Sequence, residues 1–159
     1  MTRKAMDVFI FRHARADFTD SKDPPVSEEG MTEATRVVEL AHERFGFKPT
    51  AVVASPLLRA KQTAEMARKQ LGLKSKVVVD DCLYGDKEPS EVLEFLSRFK
   101  KDDGVVLVSH MPLIFELLYK LIGGRCEVQL LNGSIAAVRF KGKATEGKGT
   151  LAWLIQPGV

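Results

Sequence analysis

Of the three histidines in this 159-residue chain, two follow directly on apolar runs. One ends Val8-Phe9-Ile10-Phe11-Arg12-His13, and the other ends Val105-Val106-Leu107-Val108-Ser109-His110. Between them lies Val52-Val53-Ala54-Ser55-Pro56-Leu57-Leu58-Arg59, an apolar run that turns into a helix start carrying a cation. Each reads as a buried strand that stops at a reactive polar group. In an α/β sheet, ligands bind outside the carboxyl ends of the parallel strands, so His13, His110, Arg12 and Arg59 are expected to meet at one site. Two permanent guanidinium charges beside two imidazoles suit a dianionic phosphoryl group.

The roles follow from placement. A neutral imidazole whose Nδ1–H is fixed by a backbone carbonyl presents Nε2 as a nucleophile, and His13, tied to the end of a strand, is the candidate. Phosphoryl transfer to nitrogen needs neutralised charge on the equatorial oxygens more than covalent help, which the forked donors of Arg12 and Arg59 can supply. Arg59 falls in a first helical turn, and side chains lean toward a helix's N-terminus. It should point back to His13, near the anion-favouring amides after Ser55, and Ser55 itself is a candidate phosphate contact.

Arg12-His13-Ala14, the run from Ser55 to Ala64 (Ser-Pro-Leu-Leu-Arg-Ala-Lys-Gln-Thr-Ala) and Ser109-His110 resemble the three signature segments of the histidine phosphatase superfamily, most closely its small SixA-type branch of phosphohistidine phosphatases. The resemblance extends to the closing strands near Trp153 and so covers nearly the whole chain. It implies a phosphoglycerate mutase-like fold, a metal-free reaction through a phosphohistidine intermediate, and a supporting role for His110 as donor to the phosphoryl oxygens. Ala14 stands where the larger family commonly has Gly, as in SixA-like members. The stretch Ala14-Arg15-Ala16-Asp17 lacks the Asn that sugar-phosphate enzymes of the family carry there, which speaks against a mutase.

Many family members place an acid soon after the third strand to protonate an alkoxide leaving group. Here that region is Asp80-Asp81-Cys82-Leu83-Tyr84-Gly85-Asp86. Asp86 is the candidate, with a plain turn residue as the competing reading. A phosphoramidate expels imidazole more readily than an ester expels an alkoxide, so such an enzyme needs less proton help. No HxH or HxxxH spacing points to a metal, Arg12 would repel a cation, and no cofactor is expected. His42, among Glu39, Glu43 and Arg44, reads as surface.

The elements that must position these groups alternate. Strands are expected at 8–11, 51–54, 76–79 and 105–109, the last being the most apolar and so central. The polar stretch 14–26, with Asp23-Pro24-Pro25, reads as a loop over the site. Ser27 should cap a helix with Glu28 and Glu29 in its first turn and with Met31, Ala34, Val38, Ala41 and Phe45 inward, ended by Gly46 and Pro49. Ser55 is the candidate N-cap of the next helix, with Pro56 at its first position, Ala60, Ala64, Ala67 and Leu71 buried, and Gly72 as the stop. Further helices are expected over 90–101 and from Pro112 to Gly123-Gly124, then a turn at Asn132-Gly133 and strands at 135–140 and 151–155. That order predicts one domain over 1–159. It is a three-layer α/β sandwich: a mostly parallel sheet with helices on both faces and a late antiparallel edge.

Composition narrows the function class. The chain is 45% hydrophobic and 28% charged with net charge +3, which suits one soluble domain with a sizeable core. Lys141, Lys143 and Lys148 lack interleaved aromatics and read as a solvated turn, so no nucleic-acid partner is expected. The apolar run after the basic N-terminus is too short for a secretory signal, and no segment reaches membrane-spanning length. Cys82 and Cys126, without metal-like spacing, read as free thiols of a reducing cytosol. A cytoplasmic location is therefore expected. Short connections leave no lid to enclose a small ligand, so a phosphohistidine on a partner protein is the favoured substrate. A small phosphorylated metabolite is the alternative, and a non-catalytic phosphate-binding or scaffolding protein is a second.

Overall fold

The computed structural model describes residues 5–19, 21–100, 102–124 and 127–158. Among the described residues six strands form one sheet in the order β3-β2-β4-β1-β5-β6: β1 (Met6–Arg12), β2 (Ala51–Ala54), β3 (Val78–Val79), β4 (Gly104–Ser109), β5 (Ile135–Phe140) and β6 (Thr150–Ile155). β1 to β4 are parallel, and β5 and β6 close the sheet antiparallel. Helices α1 (Glu28–Phe45), α2 (Leu58–Gln70), α3 (Pro89–Leu96) and α4 (Leu113–Leu121) connect them.

Alternation along β1 explains the layers. Val8 and Ile10 face one core with Leu107, Leu113, Leu117 and Phe95, on the α3–α4 side. Phe9 and Phe11 face the other with Val38, Ala41, Ala60 and Ala64, on the α1–α2 side. A strand buried on both faces has no polar side, which is why β1 and β4 read as unbroken apolar runs. β4 lies inside the sheet, between β2 and β1.

Local signals set most boundaries. Ser27 Oγ accepts from the Gly30 amide at 2.9 Å and starts α1, and Gly46, left-handed at φ 63°, ends it. Four expectations need correction. Phe45 is exposed rather than inward, its ring stacked on Trp153. The strand expected over 76–79 shrinks to the half-exposed edge pair Val78–Val79. α3 ends at Leu96, because Arg98 and Phe99 donate to Phe95 and Leu96 in tighter i→i−3 turns; Lys101 lies outside the described residues. Ser55 and Pro56 precede α2, whose N-cap is Leu57. The cap comes from 35 residues away, where Asp23 Oδ1 accepts from the Leu58 amide at 2.9 Å.

Candidate active site

Register assembles the site. β1 and β4 pair with Arg12 beside Ser109, and β2 and β4 with Ala54 beside Val108. The next residue of each chain segment is then His13, His110 or Ser55, so three neighbouring parallel strands release their polar groups at one edge. The rings of His13 and His110 are 4.9 Å apart between centroids.

The backbone around His13 is fully engaged. Its amide donates to Ser109 O at 3.1 Å, and its carbonyl accepts from Gly133 N at 3.1 Å and from Asn132 Nδ2 at 3.2 Å. Gly133, at φ 81°, folds the loop before β5 back onto the end of β1. The following amide, of Ala14, donates to Thr63 Oγ1 at 3.0 Å, and the Thr63 hydroxyl donates to Arg59 O at 2.8 Å. Thr63 thereby joins the strand end to the helix that carries Arg59. Asn132, Gly133 and Thr63 were not singled out by sequence. Asn132-Gly133 is visible there only as a turn, and Thr63 only as a member of the signature run from Ser55 to Ala64, with no role of its own.

His13 Nδ1 lies 2.7 Å from Ala14 O. A carbonyl only accepts, so the proton sits on Nδ1 and Nε2 is left with its lone pair. Arg59 Nε–H points at that lone pair from 3.4 Å. Burial, with Arg59 and Arg12 nearby, pushes the His13 pKa down to about 4 against the pull of the Ala14 carbonyl. Burial, then repulsion from His13 when that ring is charged and from the Arg59 and Arg12 guanidiniums, pushes that of His110 down to about 3. Both rings are therefore neutral at neutral pH. Arg12 is steadied by Nη1 donating to Leu130 O at 2.7 Å, while its buried Nε has no partner.

The other sequence candidates divide. Ser55 is fully buried, and its hydroxyl meets His110 Nε2 at 2.5 Å. Asp86 is exposed on a turn and outside this hydrogen-bonded set. Its neighbour Gly85 packs so tightly on His110 that a Cβ there would lie 3.0 Å from the His110 Cβ. His42 is exposed, with Nδ1 3.1 Å from Phe47 O. Cys82 is free and half-buried, its thiol pushed up to about 12 by burial and by Asp80; Cys126 lies outside the described residues. Among the described residues, no group of three His, Cys, Asp or Glu side chains could hold a metal ion. No described helix is long and apolar enough to cross a membrane.

The model of the histidine phosphatase superfamily (branch 1) matches residues 8–84, the stretch that holds Arg12, His13, Ser55, Arg59 and Thr63. The protein histidine phosphatase SixA, solved with tungstate, superposes with a TM-score of 0.85 and 28% identity over 96% of this chain and 97% of that one. The chain thus resembles the histidine phosphatase superfamily over residues 8–84 and the SixA phosphatase over nearly its whole length. A SixA-type structure from Nakamurella multipartitia (TM-score 0.78, 22% identity, 98% of each chain) shares the superfamily fold. So does a mycobacterial glucosyl-3-phosphoglycerate phosphatase (TM-score 0.69, 20% identity, 93% of this chain and 97% of that one). An uncharacterised protein of Picosynechococcus sp. is 36% identical over 63 residues, a match spanning 37% of this chain and 38% of that protein.

Proposed function

We propose that the protein is a metal-independent phosphatase that works through a phosphohistidine intermediate on His13 and removes phosphoryl groups from phosphohistidine on a partner protein. The observation that carries this reading is the presentation of His13: a neutral ring, Nδ1–H tied to Ala14 O, Nε2 bare, and Arg59 beside it. In the first step the Nε2 lone pair attacks phosphorus while the phosphorus–nitrogen bond of the substrate breaks, and the departing imidazole takes a proton from water. In the second, water attacks the His13 phosphoramidate, phosphate leaves, and Nε2 regains its lone pair. Arg59 must turn from Nε2 to the phosphoryl oxygens as the substrate enters, so one cation guards the nucleophile at rest and neutralises charge during transfer. The tungstate in the SixA relative is a tetrahedral oxyanion of the kind such a site would hold.

The surroundings favour a protein substrate. A groove of about 540 Å³ is lined by Arg12, Glu127 and Gln129 together with Met111, Phe115, Val128, Leu130 and Leu131. Met111 and Leu131 are exposed. Exposed apolar side chains beside the site suit the surface of another protein. Hydrolysis of a phosphohistidine-bearing protein, compared with a panel of sugar and alkyl phosphates, tests the reading. Preference for the protein by at least tenfold in kcat/KM is expected, and preference for one small ester would overturn the substrate assignment.

A further inference from the structure

Ser55 follows β2, is fully buried, and has two partners. The Leu57 amide donates to its Oγ at 3.2 Å, and His110 Nε2 lies 2.5 Å from the same oxygen. An amide can only donate, so at Leu57 the hydroxyl accepts, and its own proton needs an acceptor. Among the described residues, His110 Nε2 is the one within reach. The neutral His110 ring carries a single proton, and burial keeps it neutral. If that proton were on Nε2, the serine hydrogen would be stranded and the opposite nitrogen would offer a lone pair to an incoming anion.

We propose that Ser55 is a positioning residue: by donating its hydroxyl hydrogen to Nε2 it locks His110 as the Nδ1–H tautomer, making Nδ1–H the donor that meets the phosphoryl group. His110 Nδ1 is buried and partnerless, as is Arg12 Nε. These are two donors that a bound phosphoryl oxygen would satisfy. His13 and His110 then share one tautomer and use it oppositely. In His13 the Nδ1–H is anchored so that Nε2 can attack; in His110 the Nε2 is anchored so that Nδ1–H can donate. Ser55 acts on the substrate through His110 and does not contact it.

The proposal rests on the phosphatase reading for its purpose, but its test reads the resting protein. Nitrogen-15 NMR of the imidazole rings in the full chain, with His110 assigned by comparison with His110→Gln, should show a protonated Nδ1 and a bare Nε2. Adding tungstate should shift the Nδ1–H signal of His110. Ser55→Ala should give a mixed or Nε2–H ring and lose about fivefold to tenfold in tungstate affinity, the worth of one neutral hydrogen bond. Ser55→Thr, which keeps the hydroxyl, should restore the tautomer. An Nε2–H ring in the wild type, or an Nδ1–H signal unmoved by bound tungstate, would overturn the proposal whether or not the variants fold. The expected tautomer in a protein that hydrolyses no phosphorylated substrate would instead count against the phosphatase reading alone.

Discussion

At the scale of residues, the site keeps two imidazoles neutral by burying them beside two guanidiniums, and this has a cost in acid. Both histidines have pKa values pushed down, to about 4 and about 3, whereas in the unfolded chain they titrate near 6.5. Between pH about 6.5 and about 3 the unfolded state binds more protons, so their contribution to stability is full above that window, falls as pH drops through it, and levels off below. Urea midpoints at pH 7, 5.5 and 4.5 should fall, and they should fall less steeply in the His13→Ala, His110→Gln double variant. A variant as acid-sensitive as the wild type would show that other groups carry the effect. Asp86 makes a second residue-scale expectation. Exposed and outside the hydrogen-bonded site, it should tolerate Asp86→Asn with little change in phosphohistidine hydrolysis. A working acid would lose about 10²–10⁴-fold on alkyl phosphates, and steady-state rates on both substrates separate the two cases. The groups that the proposed mechanism places on phosphate were legible because His and Arg near the ends of apolar runs declare themselves. Thr63, Asn132 and Gly133 act on the backbone around His13, and hydrogen bonds spanning 49 and 119 residues leave no local pattern to read.

At the scale of elements, the loop from Ala14 to Val26 is part of the helix that follows it in space. Asp23 caps α2, and the Gln62 side chain accepts from the Val26 amide at 2.8 Å. Asp23→Ala removes the cap and should cost about 1 kcal/mol, with proteolysis within 14–26 accelerated and measured beside the thermal midpoint. Gly30 marks where α1 meets the same loop, since a Cβ there would lie 2.3 Å from Arg15 O, a backbone atom. Gly30→Ala should therefore destabilise by about 1–3 kcal/mol through overpacking, and an unchanged urea midpoint would contradict that contact. Helix starts are where local composition and tertiary structure part. Ser55-Pro56 has the composition of an N-cap followed by a first helical residue, but Ser55 Oγ is held by His110 and the role passes to Asp23. The edge strand β3 was overdrawn for the opposite reason, since Val77-Val78-Val79 has strand composition and only one neighbour to pair with.

At the scale of the molecule, three strand ends converge on one edge of the sheet, and a groove that includes Arg12 in its lining adjoins it. In the proposed mechanism Arg12 and Arg59 take over the electrostatic work often given to magnesium, so EDTA should leave turnover unchanged. Chelation that abolishes activity, with rescue by one divalent ion, would contradict this. The layered α/β architecture was readable from the alternation of apolar runs and helical stripes, while the groove, built from Arg12, Met111, Phe115 and residues 127–131, exists only once distant segments meet. In the proposed mechanism His13 carries the phosphoryl group in transit, so the site of covalent phosphorylation during turnover is decisive. Wild-type protein mixed with a phosphohistidine substrate, quenched under alkaline denaturing conditions and mapped by mass spectrometry, should carry one phosphoryl group on the peptide containing His13. His13→Ala should carry none and lose turnover by at least about 10³-fold while still binding tungstate. A phosphoryl group on any other residue, or wild-type turnover by the His13→Ala protein, would contradict the account.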